Sequence, residues 1–286
     1  MKRAGVIGHP LNASLSPTIF QAAFDATSVE ASYEAWATTP EQLEGRVNAL
    51  RGDEMLGANV TIPHKEAVLP LLDRLDEQAE RVGAVNTIAH KNGELIGYNT
   101  DVAGFDRAMR EDGGFDPKGK RVAILGAGGA ARAVALDLVE AGVSYVLLAG
   151  RTPKRLEGIV RGLRPLTKAG TTAGWCSWGD GVFLTYIPGA DMVVNCTPVG
   201  TRGGESEGKS AIAAELLPAD GLVFDLVYDP VETPLLKAAK ERGAKTLSGL
   251  AMLVYQAAES FRIWTGKNVP ADQLLEAGRK ALAAER

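Results

Sequence analysis

The stretch V-A-I-L-G-A-G-G-A-A, residues 122–131, decides how this chain is read. Four apolar residues predict a buried strand and the glycines predict a tight turn. Ala133, Val134, Leu136, Leu138 and Val139 then recur at helical spacing. Gly126, Gly128 and Ala131 thus form G-x-G-x-x-A in a strand–turn–helix context. Such a turn brings the backbone close to a dinucleotide pyrophosphate, and the helix start at Gly129 and Ala130 offers it unpaired N–H groups. The same glycines would also suit a turn needed only for helix–strand packing. Working outward, further strands are expected at 121–125, 145–149, 191–196 and 222–226, alternating with helical patterns. This is the signature of an α/β fold with largely parallel sheets.

The end of the strand after the glycine turn selects the nucleotide. An NAD site wants a carboxylate there for the ribose 2′-hydroxyl. Here the strand runs into Gly150-Arg151-Thr152-Pro153-Lys154-Arg155, without one. Arg151, Thr152 and Arg155 favour the 2′-phosphate of NADP(H), since Arg binds phosphate bidentately and a carboxylate would repel it. A basic solvated loop is the plainer alternative. N-C-T-P-V-G-T (195–201), including Thr197, follows a predicted strand where ligands collect and is expected to lie on the nicotinamide side.

The N-terminal half opens with a strand at 4–8 and a Pro/Asn/Ser-rich loop at 9–17. A helix is expected from Ser16-Pro17, with Ser16 as its cap and Ile19, Phe20, Ala23 and Phe24 as its apolar stripe. A strand at 57–62 ends at Pro63. Val68, Leu69, Leu71, Leu72 and Leu75 then fit one side of a helix. Runs at 84–89 and 94–98 around Lys91-Asn92-Gly93 predict a hairpin. The Gly/Pro/Asp-rich segment 112–119 marks a domain seam at its N-terminal side. Helices are predicted at 250–264 and about 271–284, and no element is predicted for 161–181. Ser14 and Ser16 set two hydroxyls before a helix start, which suits either an anion or simple capping. Asn59, Thr61 and Pro63 share a strand face, with Lys65 just beyond. Asn99-Thr100-Asp101 resembles a helix cap.

Composition bounds these readings. The chain has 286 residues, 45% hydrophobic and 23% charged, with a net charge of −4, which suits two soluble globular domains. The acidic balance gives no electrostatic reason to expect nucleic acid or an anionic membrane as partner. No apolar run approaches the ~18 residues of a membrane span. The apolar stretch after Met1-Lys2-Arg3 is too short for a secretory signal. Two cysteines, Cys176 and Cys196, and three scattered histidines, His9, His64 and His90, offer no metal-ligand spacing. The expectation is a cytoplasmic, metal-free protein, a monomer or homodimer, acting on a small molecule.

Seven blocks then occur in order: S-x-S-P from Ser14, N-V-T-I-P-H-K from Asn59, G-A-V-N-T from Gly83, N-T-D-x-x-G-F from Asn99, G-A-G-G-A-A from Gly126, N-C-T-P-V-G from Asn195, and G-x-x-M-L-V-x-Q-A from Gly249. Together they resemble the shikimate dehydrogenase family across nearly the whole chain. The resemblance implies a substrate-binding catalytic domain at 1–105, completed by helices of 250–286 that return to it, and a Rossmann-like NADP-binding domain at 106–249. It implies reduction of 3-dehydroshikimate to shikimate by NADPH. Ser14 and Ser16 would then hold the substrate carboxylate, and Thr61, Asn86 and Asp101 its ring hydroxyls. Lys65 and Asp101 would be the catalytic pair, with Tyr228 and Gln256 completing the substrate pocket. Met252 would lie near the nicotinamide, and Gly249 would let the backbone approach the cofactor. The family's usual Asn before Arg151 is Gly150 here. Two alternatives share the scaffold: an NAD-dependent quinate/shikimate dehydrogenase, against which Ser16 and Arg151 speak, and a non-catalytic NADP(H) sensor, against which Lys65 and Asp101 speak.

Overall fold

The computed structural model describes residues 1–11 and 14–284, so Asn12 and Ala13 of the expected 9–17 loop lie outside the described residues. In chain order the first elements are β1 (Lys2–Gly8), α1 (Ser16–Thr27), β2 (Ala31–Ala37), α2 (Leu43–Asn48), β3 (Met55–Val60), β4 (Arg74–Leu75), α3 (Glu77–Val82), β5 (Thr87–Lys91), β6 (Glu94–Tyr98) and α4 (Asp101–Arg107). They are followed by β7 (Arg121–Leu125), α5 (Gly129–Glu140), β8 (Tyr145–Gly150), α6 (Pro153–Leu163), β9 (Thr172–Ser177), α7 (Gly181–Tyr186), β10 (Met192–Asn195), β11 (Leu222–Asp225), α8 (Pro234–Glu241) and β12 (Lys245–Ser248). The helices α9 (Leu250–Thr265) and α10 (Ala271–Ala284) close the chain.

These elements form two compact units, Met1–Gly104 with Val254–Arg286, and Phe105–Leu253. The chain crosses between units inside α4 and α9, one residue before and four residues after the expected divisions. Packing explains the first crossing. Phe105 is fully buried and stacks on Phe224 of β11 with ring centroids 5.3 Å apart, so it belongs to the second unit.

The first unit carries a mixed six-stranded sheet in the order β2-β1-β3-β5-β6-β4. β2, β1 and β3 are parallel, and the hairpin β5–β6 joins antiparallel to β3. Its turn has Asn92 at φ 52° and Gly93 at φ 84°, the left-handed pair that an Asn-Gly turn requires. The predicted stripe of α1 is buried, with Phe20 stacked on Tyr33 at 4.3 Å and Phe24 against Phe261 of α9 at 5.6 Å. Trp264 of α9 packs beside Phe20 and donates its indole N–H to Ile88 O at 2.9 Å, which fastens α9 to this unit. Two expectations fail locally. Ser16 is the first residue of α1 and not its cap, a place taken by Leu15. The leucines at 69–75 do not form a helix. Pro70 allows a single 3₁₀ turn at Leu69–Leu71, and the backbone bond from Asp73 N–H to Leu95 O then draws Arg74–Leu75 into the sheet as β4.

The second unit has a parallel six-stranded sheet in the order β12-β11-β10-β7-β8-β9. The order reverses between β7 and β10, the Rossmann-like switch point where the glycine turn and the 195–201 loop both emerge. β9 lies in the segment that gave no sequence signal. It is an edge strand, half exposed, with Trp175 38% exposed, so it lacks the apolar run of its buried neighbours. Among the described residues no helix is long and apolar enough to cross a membrane, and no cluster of His, Cys, Asp or Glu could hold a metal ion.

Asp137 of α5 is 8% exposed, and one carboxylate oxygen has no hydrogen-bond partner. Burial, with the nearby charges of Asp106 and Glu140, pushes its pKa up to about 8 against the partial opposition of Arg110. A carboxyl raised in the folded state keeps its proton longer there than in the unfolded chain. The stability this confers is complete below the unfolded value of 3.8 and is lost as pH rises through about 8. Urea unfolding from pH 5 to pH 8 is therefore expected to show falling stability, by about 1.4 kcal/mol for each pH unit that this group alone controls, levelling off above about 8. Asp137→Asn should flatten that slope; an unchanged slope would show that the group does not titrate there.

Candidate active site

The first unit gathers polar side chains that are costly to bury singly. β3 ends at Val60, whose N–H donates to Asn86 O, and the chain then turns so that His64 N–H donates to Thr61 O. His64 is 1% exposed, with Nε2 2.7 Å from Thr38 O, and Lys65 O accepts from Val85 N–H at 2.8 Å. These bonds fix the backbone on both sides of Lys65. Asp101 is the first residue of α4, where a helix start favours a negative charge, and its N–H donates to Asn99 Oδ1. Lys65 Nζ donates to Asp101 Oδ2 at 2.5 Å, with the two side chains only 15% and 6% exposed.

Asn86 completes the carboxylate. Its Nδ2 lies 2.9 Å from Asp101 Oδ1, 2.9 Å from Thr100 Oγ1 and 3.2 Å from Gln256 Oε1. Its Oδ1 accepts from Thr100 N–H at 2.7 Å and from Thr87 Oγ1 at 3.1 Å. Behind it, the fully buried Ser260 Oγ donates to Gln256 O at 2.9 Å and accepts from Asn59 Nδ2 at 3.0 Å, with Thr87 Oγ1 2.8 Å and Thr100 Oγ1 3.1 Å away. Asn59 Oδ1 accepts from Tyr33 OH. The structure thus brings Lys65, Asp101, Asn86 and Gln256 together, and adds Asn59, Thr87, Thr100 and Ser260. Ser260 follows Gln256 by one helical turn, so the i, i+4 spacing was its only sequence signal. Ser14, Ser16 and Thr61 belong to the same unit, with Ser16 N–H donating to Ser14 Oγ at 3.3 Å, but no side-chain hydrogen bond joins them to this cluster among the described residues.

In the second unit Gly126 has φ +120°, and a Cβ there would stand 3.2 Å from Cys196 O. Gly128 is the N-cap of α5, which has no side-chain cap and no acidic residue in its first turn, and the space beside Gly128 is open. The N–H groups of Gly129 and Ala130 stand at that helix start, where intrahelical acceptors are lacking. Arg151, Thr152 and Arg155 are exposed after β8, and neither arginine is ion-paired among the described residues. Thr197 donates to Asn195 Oδ1 at 2.6 Å, Tyr228 follows β11, and Met252 lies in the first turn of α9. Gly249 has a reason of its own: a Cβ there would fall 2.1 Å from Leu226 O, so backbone packing inside the unit already demands glycine.

Residues 6–88 match the shikimate dehydrogenase substrate binding domain, and residues 249–277 match the shikimate 5′-dehydrogenase C-terminal domain. Residues 121–194 match a family described as NADP oxidoreductase coenzyme F420-dependent. The shikimate dehydrogenase (NADP(+)) of Methanopyrus kandleri is 43% identical, over 96% of this chain and 93% of that protein. The chain belongs to the shikimate dehydrogenase family. The shikimate dehydrogenase of Thermus thermophilus, solved with NADP(H) and shikimate, is 40% identical and superposes with TM-score 0.85 over 98% of this chain and 100% of that one. Quinate dehydrogenase from Corynebacterium glutamicum, solved with NAD, is 33% identical with TM-score 0.86 over 98% and 99%. Both likenesses extend over 98% of this chain.

Ser260→Ala removes a hydroxyl that meets four buried groups. Its cost is expected at about 1–3 kcal/mol, read from the urea midpoint. A loss below about 0.5 kcal/mol would mean that the surrounding hydroxyls satisfy one another without it.

Proposed function

We propose that the protein is an NADP-dependent shikimate dehydrogenase, a cytoplasmic oxidoreductase that interconverts 3-dehydroshikimate and shikimate in the supply of aromatic precursors. The Lys65–Asp101 pair carries this reading, because it sets an ammonium against a carboxylate whose other oxygen is already occupied by Asn86. On this reading Ser14 and Ser16 hold the substrate carboxylate, and Thr61, Asn86, Asp101, Tyr228 and Gln256 meet the rest of it. Gly126, Gly128, Gly129, Ala130, Arg151, Thr152, Arg155, Thr197, Gly249 and Met252 serve the nucleotide. The uncapped first turn of α5, the open space at Gly128 and the exposed arginines after β8, without an ion pair among the described residues, fit a 2′-phosphorylated dinucleotide.

When bound, NADPH supplies the hydride. Lys65 Nζ gives a proton to the ketone oxygen on which negative charge develops, and takes it back in the oxidative direction. Asp101 holds the amine in one orientation, leaving two further N–H directions for substrate. Asn86 prevents the carboxylate from rotating away. The NAD-dependent quinate reading is weaker here because Arg151 stands where that cofactor wants an acid.

Lys65→Ala is expected to lower kcat for NADPH oxidation with saturating 3-dehydroshikimate by about 10²- to 10⁴-fold. Near-normal turnover would remove Lys65 from proton transfer. Arg151→Ala should lower kcat/KM for NADPH by about 10- to 100-fold while sparing NADH, as expected for one charge-assisted phosphate contact. An equal loss with both nucleotides would refute the phosphate contact.

A further inference from the structure

We propose that Asp225 is a positioning residue that fixes, through one buried carboxylate, the two loops carrying Thr197 and Tyr228. What those loops bind rests on the functional reading above; the linkage itself rests on geometry within the second unit. Asp225 is the last residue of β11 and is fully buried, as are Asn195 at the end of β10 and Thr233 ahead of α8. Asp225 Oδ1 accepts from Asn195 Nδ2 at 2.8 Å and from Val227 N–H at 3.1 Å, while Oδ2 accepts from Thr233 Oγ1 at 2.6 Å.

Asn195 controls the first loop, and Val227 and Thr233 the two ends of the second. Asn195 turns its amide oxygen to Thr197, accepting from its N–H at 3.0 Å and its hydroxyl at 2.6 Å, so the first loop inherits its place from the Asn195–Asp225 bond. Val227 precedes Tyr228 directly. Thr233 also caps α8 by accepting from Leu236 N–H, which ends the second loop at a fixed point. A further clamp ties Asp229 to Arg202, carboxylate to guanidinium at 3.0 Å and carbonyl to backbone N–H at 2.9 Å, closing the path from Thr197 to Tyr228. Three donors from two loops on one desolvated carboxylate form a specific arrangement: an apolar residue of equal size would leave all three unpaired. Burial pushes this carboxyl up to about 6, opposed by the bonds from Thr233, Val227 and Asn195, so it works as an acceptor at neutral pH.

The test uses the full-length protein and steady-state oxidation of shikimate by NADP⁺. Asp225→Asn is expected to raise KM for both ligands by about tenfold or more while kcat at saturation changes by less than about threefold, since misplaced binding loops weaken capture before chemistry. Asn195→Asp, which sets one carboxylate against that of Asp225, should do the same. The double variant Asn195→Asp with Asp225→Asn restores one donor–acceptor pair and should recover most of the KM loss. Val193→Ala, a core truncation in β10, serves as the control that lowers the thermal midpoint without moving KM. Should Asp225→Asn fail to fold, Thr233→Val removes a single donor and carries the same KM expectation. Unchanged KM in the single variants, or a double variant worse than either single, overturns the proposal. A wild type inactive with shikimate and NADP⁺ would instead refute the functional reading; thermal midpoints of the same four proteins would then measure the Asn195–Asp225 coupling, and additive midpoints would refute the linkage.

Discussion

Taking an ammonium and a carboxylate out of water costs several kcal/mol per ion, and the attraction between them repays this only if their remaining hydrogen-bond capacity is filled. Lys65 and Asp101 are such a pair, and much of the first unit is arranged around that requirement. Asn86 fills the second carboxylate oxygen, Asn99 and the start of α4 receive the Asp101 backbone, and Val85 and Thr61 hold the chain around Lys65. Asn86 must itself be held. Thr87 and Thr100 hold its amide oxygen, and Ser260 and Gln256 bring α9 against the same wall. The outcome is an amine with one orientation and few ways to relax from it, the preorganisation that the proposed proton transfer to a developing oxyanion needs.

The second unit solves a different problem with similarly few donors. A parallel sheet collects loops at the carboxyl ends of its strands, and where the strand order reverses two of them diverge and leave room for a ligand. Gly126 keeps the β7 loop close to Cys196 O, while the start of α5 has no side-chain cap and open space beside Gly128, as the proposed nucleotide contact requires. Glycines in the family's motifs do not share one reason. At 126 the backbone needs a left-handed conformation, whereas at 249 a side chain would collide with Leu226.

What was legible in the sequence was what periodicity and turn chemistry encode. The β7–turn–α5 unit, the Asn92-Gly93 turn with its second strand, and the α1 stripe fall where the spacing sets them, while the first hairpin strand lies at Thr87–Lys91 and not at 84–89. The leucines of 69–75 misled because their helical spacing is real but Pro70 and the pairing of Asp73 with Leu95 prevail over it. β9 was invisible because an exposed edge strand has no apolar run to detect. Within the site, Lys65, Asp101, Asn86 and Gln256 were legible through motifs. Ser260 and Asp225 were not, since one small hydroxyl on an apolar helix and one acid at a strand end acquire meaning only from partners that stand 201 and 30 residues away.

The most direct measurement is a four-way comparison of initial rates with the purified protein: shikimate and quinate, each with NADP⁺ and with NAD⁺, followed at the absorbance of the reduced nicotinamide. The account predicts that shikimate with NADP⁺ exceeds every other combination in kcat/KM. A preference for NAD⁺, for quinate, or no turnover with any pair would contradict it.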